Sequence, residues 1–314
     1  MTMNRLQYIV IFALLWVGCS KADEASNIIT INLSSSTTCR STDPDESLIS
    51  DANLFIFRQS GSVERHIFLN SGNLSGAGSE ASVSLRLLTM EKYDFYACCN
   101  TGPIDGIRDR EDLLGYRHHM AYPDEYSRGI PMAAVKTGHT VGEGRTVNLP
   151  MVRALSKLLL SIDRTALDPD ISFTVRKVRV GGCPTSALLF ERGPDPSQEY
   201  FYSGFTKYGP AVAPLNSVGQ DGKSRELALY LFENLSGNNT SKPFIEIEID
   251  YFGNGYHSGQ DQFLIYRFHT DEATREPGVE RGKCYSFTVT PHGTGLTGDP
   301  WRTDTSRLGR DNRE

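Results

Sequence analysis

The stretch PMVRALSKLLLSI, residues 150–162, lies near the middle of the 314-residue chain, between two long tracts of short alternating segments. Its leucines and isoleucine fit both a helical stripe and one face of a strand. Pro150 at its start favours the strand, and so does the two-residue periodicity of residues 146–149 and 173–175 on either side. We therefore predict that this strand leaves a first β domain and opens a second.

The composition is that of an ordinary folded protein. Hydrophobic residues make up 39% of the chain and charged residues 22%. A chain of this length can form two domains, each with its own core. The formal net charge is −6, and the sequence has no basic stripe that could neutralise phosphates. This charge pattern argues against nucleic-acid binding.

The N-terminus predicts export. An apolar run at residues 8–17 is too short to span a bilayer comfortably. It ends at Gly18-Cys19, which resembles a bacterial lipobox, where Cys19 is acylated and becomes the mature N-terminus. Trp16 stands at a position where leucine is usual, and a plain signal peptide with an incidental cysteine is the alternative. We predict a lipoprotein signal peptide over residues 1–18.

The residues after the lipobox favour the outer membrane. Ser20-Lys21 lacks the aspartate that retains many lipoproteins at the inner membrane, and residues 21–25 are a short polar tether. No second apolar run in the sequence is long enough to span a bilayer. The chain is therefore expected to be exported and lipid-anchored.

Five further cysteines leave the disulfide state open: Cys39, Cys98, Cys99, Cys183 and Cys284. An odd number of thiols cannot all pair within one chain, and none has metal-ligand spacing. Cys98 and Cys99 are adjacent in a strand pattern, so we expect one to be buried and the other partly exposed. The compartment permits a disulfide, but the sequence assigns none.

Short alternating segments separated by turn residues occupy both halves of the chain. The clearest strand pattern is FIEIEIDY at residues 244–251, which is apolar on one face and acidic on the other. The last predicted strand covers residues 284–290, and residues 108–114 are the best candidate for a short helix. This spacing predicts an all-β protein built from sandwiches or barrels.

The sequence carries no recognisable catalytic pattern. It has no nucleophile elbow, Walker loop, dinucleotide fingerprint or HExxH motif. The pair His118-His119 is expected to lie in a solvated loop rather than to bind a metal. Glu246 and Glu248 are expected to be solvated charges, and residues 199–202 to pack between strands rather than on a sugar ring. We expect no catalytic residue, no cofactor and no metal, and hence a role in binding or assembly.

Several segments together resemble the fimbrillin superfamily of Bacteroidales, the lipoprotein subunits of donor-strand pili. The segment at residues 149–157 resembles the interdomain strand of that family, with its Arg and Lys. Five others match in order along the chain: DANLFIF at 51–57, the strand at 93–100 that ends in asparagine, GIPM at 129–132, FEN at 232–234 and RGKCY at 281–285. The resemblance covers nearly the whole mature chain.

The resemblance implies an architecture and a mode of assembly. It implies two tandem transthyretin-like β-sandwich domains, over residues 19–150 and 151–291, and polymerisation by strand exchange. In stalk subunits of the family, an Arg-directed protease removes the first strand, and the C-terminal strand of a neighbour fills the groove. Arg40 is the possible protease-processing position here, because it lies in a polar segment, residues 34–47, that has no core-forming residue.

The C-terminus departs from the stalk pattern. Residues 292–314 are predicted to be a polar tail, and after Trp301 its only large apolar residue is Leu308. A donor strand needs alternating apolar side chains to fill a groove. The tail does not supply them, so an anchor-type or other minor subunit fits better than a stalk subunit.

The predicted function is that of a non-enzymatic, lipid-anchored minor or anchor subunit of a pilus at the cell outer membrane. Its expected partners are other pilus subunits, the membrane, and a host protein or glycan. The alternative is a cell-surface adhesin or glycan-binding lipoprotein on the same fold, using loops such as residues 199–222. We expect the mature protein to begin at acylated Cys19 and to remain uncut at Arg40.

Overall fold

Strands form where apolar residues recur at every second position. In the clearest case, Ile245, Ile247 and Ile249 are completely buried, whereas Glu248 between them is partly exposed. The computed structural model describes residues 26–35, 46–76, 78–119, 126, 129–142, 144–190, 200–201, 206–234, 243–253, 255–257, 264–269, 279–296 and 302–308. Within these ranges strands predominate, and the predicted all-β fold is confirmed.

In the N-terminal half, residues 26–153, the described residues form one short α-helix and eight strands. Helix α1 spans Arg110–Leu114, and Asp109 caps it by accepting a hydrogen bond from the Asp112 backbone N–H. The helix predicted at residues 108–114 is therefore confirmed. The strands are β1 Ser26–Ser35, β2 Ala52–Arg58, β3 Val63–Leu69, β4 Glu80–Leu88, β5 Lys92–Cys99, β6 Arg117–His119, β7 Met132–Thr140 and β8 Thr146–Arg153.

Seven of these strands are joined in the order β3-β2-β5-β7-β8-β1-β4. Strands β7 and β8 pair over only two positions, Met132 with Arg153 and Ala133 with Val152. A single hydrophobic core contains side chains from strands at both ends of this order: Leu54 of β2 and Phe95 of β5 from one end, and Ile31 of β1 from the other. The two ends therefore pack face to face, as in a β-sandwich.

The C-terminal half, residues 155–308, forms two larger sheets around its own core. One has the order β15-β9-β19-β20, and the other β14-β10-β16-β17, with β18 also paired to β16. Helix α2 is a single turn, Ala213–Asn216. The strands are β9 Leu155–Ile162, β10 Ser172–Gly181, β11 Cys183–Pro184, β12 Ser186–Leu188, β13 Tyr200–Phe201, β14 Thr206–Tyr208, β15 Leu227–Phe232, β16 Phe244–Gly253, β17 Tyr256–His257, β18 Leu264–His269, β19 Cys284–Thr290 and β20 Arg302–Leu308.

The central stretch is extended, as predicted, but it is two strands rather than one. The break falls at Ala154, whose backbone N–H donates to the Pro131 carbonyl at 2.8 Å. Before it, β8 pairs with β1 and β7; after it, β9 pairs with β15 and β19. A change of partners at one residue requires this interruption of the ladder.

The first strands of the two halves occupy equivalent positions. Strand β1 lies antiparallel to β4 and parallel to β8, and β9 lies antiparallel to β15 and parallel to β19. The two strands differ, however, in how the chain connects them to the other strands. Strand β9 continues from β8 and leads into β10, whereas β1 precedes every other described strand. A single cut after β1 would therefore release it, and no single cut would release β9.

Cys98 and Cys99 are both fully buried, so the expectation that one would be partly exposed is wrong. Strand β5 is covered on both faces: Cys99 belongs to the sandwich core, and Cys98 to a second cluster that includes Leu113 of α1. Burial raises the pKa of the Cys98 thiol to about 12, so it is protonated at neutral pH. Both are free thiols.

Candidate functional site: the first strand and the Glu46 cluster

Strand β1 lies between two neighbours and faces the core with large apolar side chains. Ile29, Ile31 and Leu33 are at most 1% exposed. On the opposite face, the Thr30 hydroxyl is 3.0 Å from that of Ser84. Adjacent strands lie about 4.8 Å apart, so removing β1 would leave a slot roughly twice that width between β4 and β8. That slot would open directly onto the core.

The chain that follows β1 is fixed by an asparagine. The Asn100 side chain accepts from the Ser50 backbone N–H at 2.8 Å and donates to the carbonyls of Leu48 and Ile130 at 2.7 and 2.8 Å. Asn100 has φ +60°, a left-handed conformation that asparagine tolerates better than most residues. A Cβ on Gly129 would lie 2.6 Å from the Leu48 carbonyl oxygen, so only glycine fits beside this contact.

Glu46, just before that segment, is completely buried in a cluster of opposite charges, which we call the Glu46 cluster: Glu46, Arg153, Lys157 and Tyr230. Lys157 Nζ donates to Glu46 Oε1 at 2.5 Å, and the Tyr230 hydroxyl donates to the same oxygen at 2.7 Å. Arg153 Nη1 donates to Oε2. All four residues are nine-tenths or more buried. The cluster ties the segment after β1 to β8, β9 and β15.

Sequence reasoning missed Glu46, because it lies in a polar segment without apolar periodicity. The signal that could have found it lies elsewhere in the chain. Arg153 and Lys157 sit among apolar residues at the centre of the sequence, and a buried cation requires an anionic partner. The structure supplies that partner from more than one hundred residues upstream.

Several other segments that carried the resemblance make structural contacts in the C-terminal half. Arg281 and Glu233 form a mostly buried ion pair at 3.0 Å, and Arg281 also donates to the carbonyl of Leu189 at 2.8 Å. The Asn234 side chain donates to the Gly182 carbonyl at 2.9 Å. The Tyr285 hydroxyl accepts from the Glu280 backbone N–H at 3.0 Å. These contacts join loops to strand ends.

Both predicted site residues, Cys19 and Arg40, lie outside the described residues. Their roles remain predictions. The structure nevertheless describes the chain on both sides of Arg40: β1 ends at Ser35 and the Glu46 cluster begins eleven residues later, at Glu46. A cut between these two points would separate β1 from residues that are held by their own contacts.

His118 is not in a solvated loop. It lies in β6, which pairs with β12, and its ring packs edge-on against Phe232 at a centroid distance of 6.2 Å. Burial, and then the neighbouring His119, lower the pKa of His118. No group of three His, Cys, Asp or Glu side chains that could hold a metal ion occurs among the described residues.

Glu246 is not a solvated charge either. Its side chain is 8% exposed and lies between Arg179 and Arg267, which both donate to its carboxylate. Burial raises the pKa of Glu246, but the hydrogen bonds and the positive charges of the two arginines together outweigh it and lower the pKa below its ordinary value. Glu246, on β16, is therefore ionised and paired with two arginines. Glu248, on the same strand, is more exposed.

Only two of residues 199–202 are described. Tyr200–Phe201 form β13, which pairs with β11, and the other two lie outside the described residues. Within the part of the chain that is described, no helix has the length and apolar character to cross a membrane.

No protein-family model matches the chain, and no curated protein matches it in sequence. Its fold is shared with solved structures at low identity. FimA, a fimbrilin of Porphyromonas gingivalis, aligns with a TM-score of 0.61 at 9% identity, covering 89% of this chain and 96% of its own. The tip fimbrial protein Mfa3 of the same organism gives 0.56 at 14%, covering 90% and 99%.

A candidate cell adhesion protein of Bacteroides eggerthii is also similar, with a TM-score of 0.61 at 16% identity, covering 89% of this chain and 95% of its own. At these identities the likeness establishes the fold and nothing further. The resemblance deduced from the sequence motifs is thereby confirmed at the level of the fold.

Proposed function

We propose that this chain, which has the fold of the fimbrillins, is a lipid-anchored minor or anchor subunit of a pilus at the cell outer membrane. The observation that carries the proposal is the position of β1. It fills the interior of its sheet, yet one cut would release it. That combination would permit strand exchange after a cut, because the slot left by β1 would accept one strand of a partner subunit. In the uncut anchor, β1 stays in its own sheet and joins the N-terminal half to the lipid.

The proposal assigns the chain a structural role rather than a catalytic one, and it retains the domains at residues 19–150 and 151–291. Its partners are other pilus subunits. The polar sequence of residues 292–314, part of which forms β20 in the protein's own sheet, supports a minor subunit over a stalk subunit, since a donor strand must place apolar side chains in the slot.

A second candidate function, a cell-surface adhesin or glycan-binding lipoprotein, is favoured by the fold shared with the candidate cell adhesion protein of Bacteroides eggerthii. Copurification from the native cell surface separates the two. We expect pilins in assemblies of several different lengths to copurify with the chain. Recovery with a host protein or glycan and without pilins would favour the adhesin.

The anchor is tested at Cys19. Changing Cys19→Ala removes the thiol that is acylated, so we expect the protein to leave the membrane fraction and to lose metabolic lipid label. The matched control is Cys183→Ala, which removes a buried thiol elsewhere in the chain. Lipid label that persists in the Cys19 variant would refute the anchor.

The state of the first strand is tested by N-terminal sequencing of protein from intact pili. If the lipid anchor is retained, the mature chain begins at acylated Cys19 and β1 stays in its own sheet. A start at Ser41 would mean that cleavage follows Arg40. The lipid and β1 would then leave together, and the chain would be a polymerised subunit rather than an anchor.

A further inference from the structure

The end of the N-terminal half at which β1 begins carries exposed apolar side chains. We call this end the entry pole and define it by residues 26–28, 89–92, 141–142 and 144–145. These segments are neighbours: Ser26 pairs with Leu88, and Val141 exchanges backbone hydrogen bonds of 2.8 and 3.0 Å with the turn at residues 90–91. The pole is thus a rigid set of strand ends and turns.

Met90 is the most exposed large apolar residue of the described chain, at 76%. Its φ is +66°, a left-handed conformation in which methionine is strained and glycine or asparagine would be relaxed. Its backbone N–H donates to the Val141 carbonyl at 2.8 Å, so the turn is held in place. Neither the turn nor the core accounts for a methionine here.

Ile28 adds to the same surface. It is 53% exposed and lies opposite Arg86 on the outer face of the sheet. A Cβ built on Gly142 would lie 4.0 Å from the Met90 sulfur and 3.9 Å from the Asn27 side-chain nitrogen. The start of β1 therefore lies beside both the turn that contains Met90 and the turn that contains Gly142. The apolar side chains therefore belong to one end of the molecule.

The length of the predicted tether limits where a membrane can lie. Six residues separate Cys19 from Ser26, and the seven steps between these two Cα atoms reach roughly 25 Å at no more than about 3.6 Å per step. Strand β1 has ten residues, so the opposite end of the sandwich is about 33 Å further away at 3.3 Å per residue. A lipid on Cys19 therefore keeps the entry pole near the bilayer.

We propose that the entry pole is a membrane-contacting surface, on which Met90 and Ile28 enter the headgroup region of the bilayer that holds the lipid anchor. This inference rests on the proposed anchor at Cys19. Apolar side chains in the headgroup region add to the membrane affinity that one or two lipid chains provide. The contact would orient the N-terminal half on the membrane, with the rest of the chain pointing away.

The charges around the pole are compatible with phospholipid headgroups. Lys92 and Arg145 are exposed at the pole, Arg86 is exposed beside it opposite Ile28, and Glu91 is the exposed acidic residue among them. Glu143, which follows Gly142 in the sequence, adds one more negative charge. The excess of one positive charge makes a small contribution, so the apolar side chains carry the contact, and anionic lipid should strengthen it slightly.

The test uses the mature chain from Ser20 with an N-terminal hexahistidine tag, held on phosphatidylcholine vesicles by a nickel-chelating lipid. In a Cys39→Ser background, Met90→Cys is labelled with a polarity-sensitive fluorophore. We expect a blue shift of its emission on the vesicles and loss of quenching by aqueous iodide. Two matched controls carry the same label: Ser71→Cys at the opposite end of the N-terminal half, and Val218→Cys in the C-terminal half.

Labels at positions 71 and 218 should stay in water and remain open to iodide. A label at position 90 that behaves like these controls would overturn the membrane contact. Because the tag replaces the acyl group, this result does not depend on whether cells acylate Cys19. Lipid label that persists in the Cys19→Ala variant would instead refute the proposed anchor, so the two failures are distinguishable.

Discussion

The first and last described strands of the chain are opposites. Strand β1, sequence SNIITINLSS, is paired on both sides and places Ile29, Ile31 and Leu33 in the core. Among the described residues, strand β20, sequence RTDTSRL, pairs only with β19 and forms the edge of its sheet. Interior strands need apolar side chains, whereas charged and polar residues suit an edge and discourage further pairing. Composition and position agree at both ends of the chain.

This difference separates the two roles that strand exchange requires. A subunit that accepts a partner's strand needs a replaceable interior strand, and β1 has that position. A subunit that donates a strand needs an apolar one, and the sequence of β20 is polar. The end of this chain instead covers an edge of its own C-terminal half. The comparison supports the proposal of a minor subunit over a stalk subunit.

The largest expected effect comes from placing a charge on the inner face of β1. Ile31→Asp buries a carboxylate where Ile31 is 0% exposed. Such burial costs several kcal/mol, comparable with the whole stability of a domain. We expect the N-terminal half to lose cooperative unfolding, as measured by urea titration with circular dichroism.

The control is Ile28→Asp in the same strand, because Ile28 is 53% exposed. Its stability should change by no more than about 0.5 kcal/mol, as for most surface substitutions. Equal unfolding curves for the two variants would mean that β1 is not the interior strand described here.

A smaller effect is expected from Glu46→Gln, which keeps the shape of the side chain and removes its charge. Arg153 and Lys157 then lose the carboxylate that they share in a buried site. Breaking a buried ion pair by changing one partner costs about 3–5 kcal/mol. We expect a loss near the lower end of that range, measured by chemical denaturation, because glutamine still accepts hydrogen bonds.

Glu80→Gln is the matched control, since Glu80 is exposed at the start of β4. It should be close to neutral. If Glu46→Gln were equally neutral, the cluster would not hold the segment after β1. The expectation that this segment would stay in place if the chain were cut at Arg40 would then fail.

The sequence predicted the fold far better than the site. Alternation at residues 244–251 correctly indicated a strand, because one face of β16 is fully buried and the other is only partly covered. The same reasoning failed for Glu246, which is polar on an outer face and yet buried between Arg179 and Arg267. The periodicity of a sequence indicates on which face of a strand a side chain lies, but not which other side chains cover that face.

Two other misses have a related cause. Glu46 is buried by partners distant in sequence, so no local pattern marks it. Strand β20 has almost no apolar residues, and its ladder with β19 consists of backbone hydrogen bonds that a pattern search does not detect. Asn100 and Gly129 could be recognised through the resemblance, but their mutual contact required coordinates.

The smallest expected effect comes from removing the C-terminal strand. Ending the chain at Trp301 removes β20 and its ladder along Cys284–Thr290. An edge strand gains little net stability, since each hydrogen bond contributes about 0.5–1.5 kcal/mol while ordering each residue costs about 1–2 kcal/mol. We expect the stability of both halves to change by no more than about 1 kcal/mol in urea titrations, as for a typical single substitution.

The truncation should have a clearer effect on association. Without β20, the backbone groups on one side of β19 become a free sheet edge, which is a template for pairing with another strand. We therefore expect truncated protein to form dimers or larger species in size-exclusion chromatography, while the full chain stays monomeric at the same concentration. Unfolding as severe as that of Ile31→Asp would show that β20 is an integral strand, and the contrast between the two ends of the chain would be lost.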